Sequence, residues 1–206
     1  MKKILSIIFS SIFLMTSAAN AGGMIGVKAG VGEIDGDRTE DGKFGTASGS
    51  VSSEYAAIFA EFEVTDMFSV GAELIPMEAI IDTKASSNVD SHAKISDHKT
   101  IYVLASIGDM FYAKAGYSHA DAKVTANYAN TTVTDSPDDI SGPMIGIGAQ
   151  FESPLPFLDV VRIEATYTDY GSMSITTTNL NGTTDTDTKK GEATQTTLTI
   201  GLAKSF

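Results

Sequence analysis

The three histidines are the side chains of this sequence best suited to general-base chemistry, and no cysteine is present to serve as a nucleophile. Ser118 and His119 are neighbours, and serine beside histidine is a common nucleophile and base. Neighbouring residues of a β-strand point to opposite faces, so these two cannot form a dyad in an extended segment. His92 and His98 fall in a polar stretch where histidines are usually solvated. The sequence therefore predicts no catalytic residue.

Acidic residues suggest calcium at one point, where Asp37 opens the stretch DRTEDG. A calcium loop of that type needs a bidentate glutamate at its twelfth position, and Ser48 stands there instead. A second acidic stretch, Asp185-Thr-Asp187, lacks the rest of any such motif. The sequence predicts no dedicated metal site and no cofactor, and it leaves open only weak, nonspecific binding of divalent cations by outer acidic residues.

The composition narrows the possible partners. The chain has 206 residues, with 14 basic and 26 acidic side chains and a formal net charge of -12. Binding to nucleic acid needs a basic patch that neutralises phosphates, so no nucleic-acid partner is expected. The absence of cysteine excludes disulfides and cysteine–zinc sites. A mean hydropathy of +0.04 would suit an ordinary soluble protein.

The first segment has the features of a secretory signal peptide. Met1-Lys2-Lys3 is a basic start, the mostly apolar run 4–15 follows, and Ala19-Asn20-Ala21 has the small residues of a cleavage site. A membrane anchor is the alternative, but the run is shorter than the ~20 residues that a helix needs to span a bilayer. We predict a cleaved signal peptide at 1–21 and one domain at 22–206.

The remaining chain alternates apolar and polar residues with period two, which is the pattern of β-strands. Each alternating run is close to the roughly 9–11 residues of a tilted transmembrane strand. One face carries Ile, Val, Ala, Leu and aromatic residues, and the other carries Gly, Thr, Gln and charges. The eight predicted strands are 22–34, 54–64, 69–77, 100–107, 110–120, 142–152, 160–170 and 194–206.

The connections distinguish a membrane barrel from a soluble β-sandwich. Short connections at 65–68, 108–109 and 153–159 alternate with long ones at 35–53, 78–99, 121–141 and 171–193. Outer-membrane barrels have short turns on one side and long loops on the other. We therefore predict an all-β fold, an eight-stranded antiparallel up-and-down transmembrane β-barrel. A soluble periplasmic β-protein, with its apolar face hidden inside, is the remaining alternative.

Aromatic residues support the same orientation, since tyrosine suits a membrane interface. Phenylalanines fall near the predicted short turns, and Tyr117, Tyr167 and Tyr170 fall near the long loops.

Two short segments resemble those of small outer-membrane β-barrel proteins of the OmpA-like and opacity-protein type. The stretch 162–171, RIEATYTDYG, resembles their R-x-E-Y-x-Y-T-D-Y-G motif, with Ala165 in place of an aromatic residue. The last alternating run, which includes Ile200, Leu202 and the terminal Phe206, resembles the signal that the barrel assembly machinery reads. Lys204 departs from it, because an apolar residue is usual there. The resemblance implies a location in the cell outer membrane, among lipid and lipopolysaccharide.

An eight-stranded barrel is just wide enough for side chains to fill its interior. Buried charges must be paired, so we predict a structural network of ion pairs in the lumen, with Glu63 near its mouth. A gated ion path is the alternative. The predicted lumen charge network comprises Lys28, Glu61, Glu63, Glu73, Lys114, Arg162 and Glu164.

The four long loops form the predicted functional surface. They are rich in Ser, Thr, Asn, Asp and Gly, and together they carry a formal charge of -7. The sequence favours a non-enzymatic barrel with a structural or surface-interaction role, in which 35–53, 78–99, 121–141 and 171–193 meet any surface ligand. A narrow passive channel for ions or small solutes is the alternative function.

Overall fold

The computed structural model describes residues 22–40, 47–76, 79–84, 89–128, 131–135, 139–178 and 186–206. The predicted signal peptide lies outside these residues and stays a prediction. The described strands are β1 (Gly23–Glu40), β2 (Ala47–Thr65), β3 (Phe68–Ile75), β4 (Ala79–Lys84), β5 (Val89–Ile107), β6 (Phe111–Tyr128), β7 (Thr131–Asp135), β8 (Ile140–Glu152), β9 (Val160–Thr178) and β10 (Thr186–Ser205). Among the described residues, no helix is long and apolar enough to cross a membrane.

The ten strand segments form the eight strands of one antiparallel barrel. β3 and β4 both pair with β5, one after the other, so they count as a single barrel strand. β7 and β8 both pair with β6 and likewise count as one barrel strand. The remaining strands each pair with their neighbours along the chain, which is the up-and-down order that the alternating connections predict.

The pairing of β1 with β10 closes the sheet into a barrel. It runs from Met24 opposite Ser205 to Glu40 opposite Lys189. At the chain ends, the amide of Phe206 donates to the carbonyl of Gly23 at 2.9 Å, and the reverse bond measures 3.1 Å. Closure gives β1, β2, β3, β5, β6, β8, β9 and β10 two neighbours each, so the barrel wall has no open edge, whereas β4 and β7 each pair on one side only among the described residues. The predicted eight-stranded antiparallel barrel is confirmed.

The two faces of the wall are reversed relative to a soluble protein. Apolar side chains stand on the outside, where Ile101 is 67% exposed and Ile147 is 69% exposed. Charged and polar side chains are buried inside, among them Lys28 and Glu164. A soluble β-sandwich would show the opposite arrangement. This pattern is that of a barrel with an apolar outer band and a polar lumen.

The short-turn end of the barrel is tied to the last strand through Asp159. Its carboxylate accepts hydrogen bonds from Lys204 Nζ at 2.8 Å and from the Ser205 amide at 2.7 Å. The Asp159 amide donates to the carbonyl of Ala203, and its carbonyl accepts from the amide of Ser153. Lys204, which departs from the usual terminal pattern, therefore has an ionic partner in the 153–159 turn.

At the opposite, long-hairpin end, strand pairing continues well into the segments that the sequence assigned to loops. β1 and β2 pair as far as Arg38 opposite Ala47, and β9 and β10 pair as far as Thr178 opposite Thr186. The predicted strand ends at these sites are wrong. Outside the apolar band neither face has to be apolar, so the period-two signal disappears while the backbone pairing goes on. Threonine and valine favour the β-strand conformation, and their presence in these segments supports continued strand pairing.

Two β-bulges lie at the same height, near the long-hairpin end. One extra residue in β5 shifts its register against β6 between Ser96 and Lys99, where Asp97 adopts a φ of 53°. Another shift lies opposite Glu192 and Thr194 of β10, where Gly171 of β9 has a φ of 65°. Bulges of this kind bend a strand and re-aim its side chains. The two bulges lie at the boundary between the membrane-spanning part of the barrel and the hairpins that extend beyond it.

Three lumen aromatics each lie across a glycine of the adjacent strand. A Cβ at any of these glycines would overlap the facing ring. The missing side chain therefore makes the room that the aromatic ring occupies, which fits the small–large alternation inside small barrels. The cross-strand pairs are Gly26 with Phe59, Gly71 with Tyr102 and Gly148 with Tyr112.

We predict that Gly148→Ala destabilises the barrel by about 1–3 kcal/mol, because the new methyl group meets the Tyr112 ring in a packed interior. Gly201→Ala is the matched control, because a Cβ there meets its nearest neighbour, Lys28 Cβ, at an ordinary 3.4 Å. Urea unfolding followed by heat-modifiable gel mobility measures both. Equal midpoints for the two variants would contradict the packing argument.

A second prediction concerns pH and Asp159. The hydrogen bonds from Lys204 and from the Ser205 amide hold the pKa of the Asp159 carboxyl below its usual value. A lowered pKa in the fold gives stability that is present above the unfolded value of about 3.9 and lost as pH falls through the folded pKa. Asp159→Asn should therefore be less stable than wild type at pH 6, with the difference shrinking by pH 3. Urea midpoints at both pH values test this, and Asp66→Asn, in another short turn, should keep the wild-type dependence.

Candidate functional site

Four charged residues from four strands meet in the middle of the lumen and form what we call the central cluster: Lys28, Glu73, Lys114 and Glu164. Lys28 Nζ lies 2.6 Å from Glu73 Oε2 and 2.7 Å from Glu164 Oε1. Lys114 Nζ lies 3.2 Å from that Glu73 oxygen and 3.0 Å from that Glu164 oxygen. Each ammonium thus bridges both carboxylates, and all four side chains are buried.

A second group lies toward the short-turn end and is centred on Arg162. Arg162 Nη1 donates to Glu61 Oε1 at 2.6 Å, and Nη2 donates to Gln150 Oε1 at 3.2 Å. The Tyr102 hydroxyl donates to the same Glu61 oxygen at 2.8 Å. Glu61 and Arg162 are both buried, so the pair has little water around it and depends on these partners.

Aromatic rings join the two groups. The Tyr112 hydroxyl donates to Glu164 Oε2 at 3.1 Å, and Lys114 Nζ lies 3.8 Å from the centre of the Tyr102 ring. The Arg162 guanidinium lies 5.0 Å from the Tyr112 ring centre. Cations over ring faces are favourable, especially where water is excluded. The lumen charges therefore form one continuous network.

Among the described residues, Glu63 forms no ion pair with this network, although the sequence groups it with these charges, near the mouth of the lumen. It is exposed at the end of β2, and its carboxylate lies against Gly22 at the chain terminus of the described residues. The β2–β3 register shifts between Glu63 and Thr65, where the hairpin turns. Without Glu63, the six buried members are three bases and three acids, so their formal charges balance.

Hydroxyl and amide groups form the next layers toward the long-hairpin end. Thr100 bonds to Ser118 at 2.9 Å, and Thr166 bonds to Thr197 at 2.6 Å. Above them, His98 Nε2 lies 2.8 Å from the Tyr170 hydroxyl. That hydroxyl donates to Gln195 Oε1 at 2.8 Å.

Tyr170 therefore lies inside the barrel, although the sequence placed it in an outer band of tyrosines with Tyr117 and Tyr167. Those two stand outside, 51% and 43% exposed, whereas Tyr170 is 6% exposed. Even-numbered positions of β9 from Arg162 to Tyr170 point inward, and Tyr170 has the same parity as Glu164 and Thr168. Parity along the strand therefore indicates the inward position of Tyr170 more reliably than its polar hydroxyl, which suits an interface equally well.

A small apolar cluster covers these polar layers at the long-hairpin end. Its fully buried members are Ala120, Ile140, Tyr170 and Ala193, and Ile95 and Ala122 pack against them. The β5 bulge lets both Ile95 and His98 face inward, which strict alternation would not allow. The lumen is thus closed by charges in the middle and by apolar side chains above.

Among the described residues, one small cavity lies in the lumen beside Arg162 and Glu61 and another beside His98 and Thr100. Each has a volume of about 10 Å³ open to water, which is roughly what a single water molecule needs. Both are therefore far smaller than the aqueous channel of a wide porin.

Ser118 and His119 lie on opposite sides of the wall, as the alternation predicts. Ser118 is 1% exposed and is hydrogen-bonded to Thr100, whereas the His119 side chain is 41% exposed on the outside. The side chains of His92 and of the calcium-like stretch that starts at Asp37 lie outside the described residues, as do those of 185–187.

The residues of the proposed assembly signal face outward on β10. Ile200 is 60% exposed and Phe206 is 51% exposed, while Leu202 is half-buried. The Phe206 ring makes an edge-to-face contact with Phe62, with ring centres 6.3 Å apart. Recognition by the assembly machinery stays a prediction.

The barrel is similar to several solved membrane proteins. The outer membrane protein OprG from Pseudomonas aeruginosa matches with a TM-score of 0.57 at 13% identity, covering 89% of this chain and 96% of that one. The outer membrane protein AlkL, solved in lipid bilayers, matches with a TM-score of 0.56 at 14% identity, covering 91% of both chains.

A third similar structure is Ail, the attachment invasion locus protein of Yersinia pestis, in complex with the heparin analogue sucrose octasulfate. Its TM-score is 0.52 at 13% identity, covering 88% of this chain and 98% of that one.

The chain has the fold of a small outer-membrane β-barrel. At these identities the similarity establishes the fold alone, and the predicted resemblance to small barrels is confirmed at that level. No protein-family model and no curated protein matches the sequence.

The sequence did not assign Tyr102 and Tyr112 to the network, although both fall on the polar face of their strands. The sequence does not show which acceptor an aromatic hydroxyl reaches, so these two residues carry no sequence signal for the network. His98 was placed in a loop, since the β5 bulge interrupts the alternation two residues before Thr100. The charged members of the network, in contrast, can be recognised in the sequence, because they are charged residues at inward-facing positions of their strands.

We predict that Glu164→Gln destabilises the barrel by about 3–5 kcal/mol, because it removes a buried charge that two lysines share. The matched control is Glu63→Gln, which removes the same charge at an exposed position and should stay within about 0.5 kcal/mol of wild type. Urea unfolding in lipid vesicles, followed by gel mobility, compares them. Similar losses for both variants would show that net charge, rather than the network, matters.

Proposed function

We propose that this protein is a barrel of the cell outer membrane that does not conduct, does not catalyse a reaction, and serves as a rigid support for β-hairpins presented outside the cell. The observation that carries this proposal is the filled lumen beneath strands that continue past the apolar band. A closed interior gives no path for solutes, so the function falls to the outer surface.

The location is supported by the wall and by the fold. The outside carries exposed Ile, Val, Leu and Phe side chains along the middle of the strands. Such a band fits the hydrocarbon of a bilayer, with lipid and lipopolysaccharide as its neighbours. OprG and AlkL, which share the fold, are both outer membrane proteins. The barrel assembly machinery is the expected partner during insertion.

The surface role is supported by the length of the strands. β10 has 20 residues, about twice the roughly 9–11 that a tilted strand needs to cross the membrane. The remainder pairs with β1 and β9 as an ordered continuation of the barrel. A paired hairpin offers a stiffer surface for binding than a free loop, because less conformational entropy is lost on contact.

The negative charge of the outer segments restricts the kinds of ligand that can bind to them. Segments 35–53, 78–99, 121–141 and 171–193 together carry -7. Ail was crystallised with a heparin analogue, which is a polyanion. A polyanion would be repelled by the acidic outer segments of this chain, so we propose neutral or cationic surface groups as ligands instead.

Single-channel recording in planar bilayers tests the closed lumen. We expect no large, steady conductance for the wild-type barrel, and a larger one for the double variant Lys114→Ala, Glu164→Ala, which removes a bridging pair from the central cluster. A stable conductance of porin size in wild type would overturn the proposal. Brief conductance steps much smaller than those of a porin would favour the alternative function, a narrow passive channel for ions or small solutes.

A shortened hairpin tests the surface role. Ser174 and Lys190 are paired in register, so replacing 175–189 by Asn-Gly should give a two-residue hairpin turn without disturbing the strands below. We expect unchanged heat-modifiable mobility and reduced adhesion of whole cells to a test surface. Unchanged adhesion in this variant and in equivalent variants of the other hairpins would contradict a surface-interaction role.

A further inference from the structure

Three side chains converge on the outer wall of the barrel at its long-hairpin end: His119 and Asp121 of β6, and Asp139 just before β8. The sequence alone does not reveal this group, because Asp139 lies far from His119 and Asp121 in the chain and 121–141 is predicted to be a loop. The strand pairing brings the three together. Ala120 is paired with Ile140, and Asp121 directly follows the one while Asp139 directly precedes the other.

All three side chains lie on the outer face. Their inward neighbours Ser118 and Ala120 are almost completely buried, so His119 and Asp121 must point the other way. The side chains of His119, Asp121 and Asp139 are 41%, 50% and 68% exposed. Their ligand atoms are therefore reachable from solvent.

The distances fit a shared cation better than direct contacts. His119 Nε2 lies 3.7 Å from Asp121 Oδ1 and 3.9 Å from Asp139 Oδ2, and all three ligand atoms lie within 4.8 Å of one another. These separations exceed hydrogen-bond length. Two ligands at the usual ~2.1 Å from a tetrahedral zinc ion are about 3.4 Å apart. The two histidine–aspartate separations exceed this by a few tenths of an ångström, and the two aspartate oxygens lie within 4.8 Å of each other. Rotation of these exposed side chains about their bonds closes such gaps.

The charges favour the same conclusion. Two carboxylates this close repel each other, and a divalent cation between them converts repulsion into attraction. The imidazole decides the class of metal, because nitrogen ligands suit zinc and neighbouring first-row metals, whereas calcium and magnesium prefer oxygen ligands alone.

The surroundings leave space for the remaining ligands. Tyr117 stands on the same face two residues nearer the apolar band, and its hydroxyl contacts Ser141 Oγ at 3.1 Å. The group therefore lies just beyond the interfacial tyrosine, where water is present. Three protein ligands leave an open position for water or for an external anionic group.

We propose that His119, Asp121 and Asp139 form a binding site for a divalent transition metal of the zinc class on the outer surface of the barrel. The three side chains bind the ion by one atom each, and water completes its coordination. The site is independent of whether the lumen conducts, and it adds a defined metal position to a surface that the sequence credited only with weak, nonspecific cation binding.

Calorimetric titration of the untagged, refolded barrel with zinc chloride, in detergent free of lipopolysaccharide, tests the proposal. We expect one saturable site, with affinity reduced at least about tenfold in His119→Ala, Asp121→Asn and Asp139→Asn. His92→Ala and Asp109→Asn are matched controls for the loss of a histidine and of an aspartate, and both should bind as wild type does. Heat-modifiable mobility verifies that each variant is folded.

Two further measurements identify the ligands and the metal class. Cobalt(II) should give visible absorption bands that His119→Ala alters and His92→Ala leaves unchanged. Excess calcium should not displace zinc, and acidification should release it because the proton competes for the imidazole. The proposal is overturned if zinc does not saturate one site, if His119→Ala binds as tightly as wild type, or if calcium competes on equal terms.

Discussion

The need to satisfy every backbone hydrogen bond without water determines this structure. Within hydrocarbon, an unpaired N–H or C=O group is expensive, so a sheet that crosses the bilayer must close on itself. The pairing of β1 with β10 meets that requirement here. Because the closed sheet has eight barrel strands, its interior is narrow, and this width determines how the lumen is filled with side chains.

A narrow lumen explains why its charges are arranged as they are. Lys28 and Lys114 cannot be hydrated freely, so each is shared between Glu73 and Glu164. Large rings fill the remaining space wherever a glycine of the neighbouring strand leaves room for them. The interior therefore behaves as a polar core, with packing as restrictive as that of an apolar one.

The sequence predicts the barrel and most of its lumen because period-two alternation survives wherever lipid covers one face. It fails where that constraint ends. Beyond the apolar band no lipid requires one face of a strand to be apolar, so residues such as Thr178 and Thr186 pair without any periodic signal. The bulges at Asp97 and Gly171 also escape detection, since one extra residue inverts parity locally. The placement of Tyr170 follows from its parity within β9, whereas the convergence of His119 with Asp121 and Asp139 depends on the pairing of two strands, which a single strand does not reveal.

The bonds between Gly23 and Phe206 bear on how the chain reaches this state. The first and last described strands are the pair most distant in sequence, so the contact that closes the barrel carries the largest loop-closure cost of any in the sheet. Until it forms, β1 and β10 are both open edges able to pair with other chains. The folding rate should therefore be set by a late, non-local step, and the unclosed intermediate is the state in which the chain is most exposed to aggregation.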